Sequence, residues 1–81
     1  MVDELKTKVF SAVQDILGPS FIRESPSAYP SAFEGEKYSI QIIIIGGISL
    51  TTLVELRERA GAKEAHVQPA TEPCVRLDFR F

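Results

Sequence analysis

The chain is poor in the residues that most often announce a function. Cys74 is its only cysteine, so no internal disulfide can form. With His66 as the only histidine, a four-ligand zinc site is also hard to assemble. No G-x-G-x-x-G and no G-x-x-x-x-G-K-[ST] is present, which removes the common dinucleotide and P-loop signatures. There is no block of like charge: the net charge is −2, with acids and bases mixed along the chain. Nucleic-acid binders take most of their affinity from clustered Lys and Arg, and here the nearest approach to a cluster is Arg76 with Arg80, so a nucleic-acid partner is not expected. Neither an internal repeat nor a low-complexity segment occurs.

A membrane span is not expected either. The charge-free stretch between Lys37 and Glu55 is at the short end of what a bilayer core requires, and it is broken by Gln41, Gly46, Gly47, Ser49, Thr51 and Thr52. The N-terminus, MVDELKTKVF, is charged and amphipathic where a signal peptide would carry an apolar core, and with the lone thiol this points to the cytoplasm. Eighty-one residues make a single domain, 1–81, whose core is thin for its surface. No cofactor is implied.

What is present is periodic. Leu5, Val9, Ala12, Val13 and Ile16 form one apolar stripe, predicting a helix over 3–17 with Asp3 and Glu4 at its positive end and Gly18-Pro19 as a left-handed cap and stop. From 20 to 33 the chain mixes Ser and Pro with Phe21, Ile22, Tyr29 and Phe33. Pro26 and Pro30 argue against a central strand, so a short edge strand at 20–24 followed by an ordered aromatic loop is expected. Gly35 suits a turn. Tyr38–Ile45 then reads as a strand, with Tyr38, Ile40, Ile42 and Ile44 on one side and Ser39, Gln41, Ile43 and Ile45 on the other. Its second half is apolar on both sides, as in a central, doubly covered strand.

A second helix is predicted over 50–60, with inner residues Leu53, Leu56 and Ala60, an i,i+4 pair between Glu55 and Arg59, and Gly61 as C-cap. Two N-caps compete for its start: Ser49, or Thr52 boxed with Glu55. Two strands complete the chain, 62–68 and 74–81, joined by the proline-flanked loop PATEP. In the last, Val75, Leu77, Phe79 and Phe81 alternate inward with Arg76, Asp78 and Arg80 outward. The order α, β, β, α, β, β predicts an α+β two-layer sandwich: a small, mostly antiparallel sheet with a split β-α-β unit and both helices on one face.

Many functions use such a plan, so activity has to be sought in the site. The row Arg76, Asp78, Arg80, with Tyr29 and Phe33 of the aromatic loop, offers a surface for another protein. Ile43 and Ile45, turned away from the helices, need a cover, either that loop or a second copy of the chain. These residues predict a non-enzymatic protein-binding module, with the homodimer as one form of it. The alternative is a small-ligand or anion-binding domain that uses the Gly46-Gly47 turn, Ser49 and the N-terminus of the second helix. Catalysis finds little to work with. Glu34 and Glu36 flank a turn, Glu55 and Glu58 sit on a charge-balanced helix, and His66 with Cys74 would need a hairpin register that the sequence leaves open.

Overall fold

A computed structural model describes all residues, Met1–Phe81. The first helix, α1 (Val2–Ile16), buries Leu5, Val9, Ala12 and Val13, which is the predicted stripe. Its end differs from the expected left-handed cap. Leu17 is still helical, and the amides of Leu17 and Gly18 both donate to the Val13 carbonyl, at 2.9 and 3.2 Å. Gly18 then takes φ 106°, ψ 150°, an extended conformation with positive φ that is essentially glycine's alone. It swings the chain into a short 3-10 turn, Pro19–Phe21. A Cβ at Gly18 would meet nothing nearer than the Phe21 ring at 3.9 Å, so the cost of Gly18→Ala is conformational. A loss of about 1–3 kcal/mol is expected, read as a lower urea midpoint with an unchanged slope.

The largest departure from the sequence reading is β1 (Ile22–Pro30), a nine-residue strand that runs through both prolines. It lies at the edge of the sheet, paired antiparallel only to β2 (Tyr38–Ile45), and its register shifts between Ile22 and Glu24 and again between Glu24 and Ser27. An edge strand needs ladder donors on one side only, and its irregular steps absorb Pro26. Residues 22–30 are therefore part of the sheet, and of the expected aromatic loop Phe33, beyond the strand, reaches back over Arg80.

The second helix, α2 (Leu50–Ala60), is capped by Ser49, whose Oγ accepts from the Thr52 amide at 3.1 Å; of the two candidates, the earlier one wins. Gly61 closes it in the left-handed region at φ 73°. Arg59 does not pair along the helix with Glu55 but reaches across to Asp15 of α1, 3.1 Å away. Strands β3 (Glu64–Pro69) and β4 (Cys74–Arg80) form the final hairpin. The sheet order is β1-β2-β4-β3 with every neighbour antiparallel, so β2 and β3 run parallel with β4 inserted between them. This is the predicted split β-α-β arrangement.

The core lies between the helices and one face of the sheet. Val9, Val13 and Leu56 meet Ile40, Ile42, Ile44, Leu77 and Phe79, all essentially without solvent exposure. No helix is long and apolar enough to cross a membrane.

Candidate functional site

The register of the sheet fixes what its other face presents. Three ladders cross all four strands: Glu24–Ile43–Arg76–Gln68, Ser27–Gln41–Asp78–His66 and Tyr29–Ser39–Arg80–Glu64. Directly paired residues share a face, so these side chains form one surface opposite the helices. Tyr29, Ile43, Arg76 and Arg80 thus come together from three strands, and Ile45 follows Ile43 along the same face beside Cys74. Ile43 and Ile45 are half-buried, not doubly covered as the sequence suggested, because β1 lies beside them in the sheet.

One end of this face is a built network. Asp78 is predicted to point outward into solvent, yet its side chain is only 4% exposed. The Ser39 hydroxyl donates to Asp78 Oδ1, and Arg80 donates to Oδ2 through Nε at 3.3 Å, with its Nη2 paired to the same oxygen 3.2 Å away. Gln41 Nε2 adds a long contact to Ser39 Oγ at 3.5 Å. The Phe33 ring stacks on the Arg80 guanidinium, 4.1 Å from centroid to carbon. Arg80 is thereby a fixed, shielded cation. Arg76 is held more loosely, by one hydrogen bond of 3.3 Å to Gln68 Oε1.

The other end is open. A groove of about 750 Å³ runs between β1 and the loop from β3 to β4, and Arg23, Glu24, Tyr29, Ile43, Glu72 and Arg76 are among its walls. A second hollow of about 280 Å³ continues it toward Phe33 and Arg80, sharing Tyr29 and Gln41. Arg23 and Glu72 were not legible as site residues: one sits in an irregular step of β1, the other in a loop whose fold the sequence does not specify.

Residues of the anion-binding alternative have other partners here. The Gly46 amide donates to the Pro73 carbonyl at 2.7 Å, Gly47 is exposed, and Ser49 Oγ serves Thr52 as the helix cap. His66 lies opposite Asp78, four residues along β4 from Cys74, which is about 13 Å at strand rise and far beyond proton-transfer reach. His66 Nε2 instead sits 3.0 Å from Glu64 Oε1. No group of three or more His, Cys, Asp or Glu side chains is arranged to hold a metal ion.

Two carboxyl groups far apart in the chain influence one another: Glu36, from the turn before β2, and Glu64 of β3. The hydrogen bond to Glu64 raises the Glu36 carboxyl above its ordinary value, with desolvation and the Glu64 charge adding to the effect, while Arg80 and Lys63 oppose it. Glu64 is lowered, first by the bond from Glu36 and then by that from His66. An influence between positions so far apart depends on tertiary structure and leaves no trace in local sequence. The chain matches no family model, no curated protein and no solved structure at a significant level, so its function has to be argued from this geometry alone.

Proposed function

We propose that the chain is a non-enzymatic protein-binding domain, that the open face of its sheet is the contact surface, and that a second copy of the chain is a partner there. One observation carries the reading: Ile43 and Tyr29 line an open groove on the sheet face away from the helices, with Ile45 farther along the same face. The charges around the groove support a symmetric partner. Arg23 and Arg76 stand against Glu24 and Glu72, and in a two-fold contact the arginines of one copy can meet the glutamates of the other. Size permits it as well. A standard interface takes about 800 Å² from each partner, about a sixth of the 4917 Å² that the chain exposes.

Amide chemical shifts followed through a dilution series test this reading. The expected changes fall on Tyr29, Gln41, Ile43 and Arg76, spare the outer faces of α1 and α2, and disappear in Arg76→Glu and Tyr29→Ala while far-UV circular dichroism stays unchanged. Shifts that map to the helices, or none at all, would contradict it.

A further inference from the structure

The two edges of the sheet are not alike. At one edge β1 is broken by two register shifts, and its Pro26 and Pro30 carry no amide hydrogen. At the other, β3 pairs with β4 from Glu64 to Pro69 without a shift in register. A strand with one neighbour turns half of its amides and carbonyls outward. No hydrogen bond outside the β3–β4 ladder reaches the main chain of residues 64–69, so these outward groups have no partner within the chain. Lysine often guards an exposed edge, but the Lys63 ammonium is turned to the Gly35 carbonyl.

The surface beside this edge is apolar on the helix side. Ala65 and Val67 pair with Phe79 and Leu77, which places them on the core face of the sheet, yet Val67 is 42% exposed. Helix α1 packs over β1 and β2, and α2 over β3, with Leu53, Leu56 and Ala60 as its inner residues. Arg59 of α2 faces α1, where it meets Asp15. At about 100° per residue, Leu50 and Val54 fall on the opposite flank, toward the β3 edge, and both are exposed. The other side of the strand carries Glu64, His66 and Gln68, with the Glu64 carboxylate half-exposed.

We propose that β3 is a docking edge for an extended segment of another protein, which joins the sheet as an antiparallel fifth strand with apolar side chains toward Leu50, Val54 and Val67 and a basic side chain opposite Glu64. Only an extended backbone matches a row of outward amides and carbonyls. The two sides of β3 dictate alternation in that segment, and the carboxylate sets the sign of its charge. Pro69, which has no amide hydrogen, limits the pairing to residues 64–68. A second copy of the chain matches this edge poorly. In the two-fold register that uses the whole strand, centred on His66, Glu64 meets Gln68 and His66 meets its own equivalent, so the carboxylate gains no cation. The inference goes beyond the open-face reading and does not rest on it.

The probe is a capped peptide, Thr-Val-Lys-Val-Thr, added to isotope-labelled chain up to about millimolar concentration, where an affinity of about 4 kcal/mol shows. Amide shifts are expected at Ala65, His66, Val67, Leu50 and Val54, with slower hydrogen exchange along β3. Two further peptides carry N-methyl groups on the amides of one edge or of the other; only one of them should lose binding, because a strand docks through a single edge. Glutamate in place of the peptide's lysine is expected to weaken binding by about twofold to tenfold, the range of cross-strand charge pairs, and Glu64→Lys to reverse that preference. Self-association at the open face, present or absent, leaves these outcomes unchanged. No binding, equal binding of the two methylated peptides, or a preference unmoved by Glu64→Lys would overturn the proposal. So would the same edge shifts on concentrating the chain without peptide, which would make a second copy the occupant.

Discussion

Asp78→Ala is expected to remove about 3–5 kcal/mol, the usual result of taking one partner out of a buried ion pair. An 81-residue chain has about 4–12 kcal/mol in total, so the variant should be largely unfolded or close to it. The size of the effect follows from what would be left behind. Arg80, 13% exposed, would keep its charge under the Phe33 ring with no carboxylate to meet it, and the Ser39 hydroxyl would lose its acceptor in a buried position. The cost therefore measures stranded groups more than the strength of the pair itself. For the same reason, Arg80→Met placed on top of Asp78→Ala should recover part of the loss, because it removes the stranded cation while keeping the bulk of the side chain. Urea denaturation of the two single variants and the double variant gives the coupling directly; strict additivity would mean that the two side chains do not act together.

A loss of similar size is expected from Phe79→Ala, for a different reason. Phe79 is the one aromatic side chain in the chain that is fully buried, and it is paired across the sheet with Ile40 on one side and Ala65 on the other. Removing a buried aromatic ring costs about 3–5 kcal/mol, part of it transfer and part the cavity left behind. Only thirteen residues make up the hydrophobic cluster, so few neighbours are available to collapse into the space. Phe79→Leu, which keeps most of the volume, should lose much less. The denaturant midpoints of the two variants, compared at constant slope, separate this packing account from one in which any change at 79 is equally harmful.

Much of this architecture was written locally. The stripe of α1, the bounds of α2, its glycine cap and the alternation of β2 and β4 each depend on residues within a few positions of one another, and each appears in the structure nearly where the pattern places it. The insertion of β4 between β2 and β3 followed from connection rules applied to that order. β1 was shortened in the sequence reading because proline speaks against a ladder, and whether a strand lies at an edge is settled by its neighbours and not by its own residues.

The site was legible only in outline. Alternation put Arg76, Asp78 and Arg80 on the open face, and the register confirms that they share it. Alternation could not show that Asp78 would be buried, because its cover comes from Ser39, Arg80 and the reach of Phe33 from another segment. The influence of Glu64 on Glu36 was hidden for the same physical reason: it joins a turn to an edge strand far along the chain. At Gly46-Gly47, where an anion cradle was the alternative to a plain corner, the fold gives the Gly46 amide to Pro73.

The central claim is that the open face of the sheet is a contact surface and that a second copy of the chain fits it. Light scattering coupled to gel filtration, run as a concentration series on the wild type and on Ile43→Asp, tests it most directly. The account predicts a wild-type mass that climbs from the 9.0 kDa of one chain toward twice that value, while Ile43→Asp stays at the single-chain mass with its fold intact. A wild-type mass that holds at 9.0 kDa up to about millimolar concentration, where even an affinity of only about 4 kcal/mol would show, would contradict it.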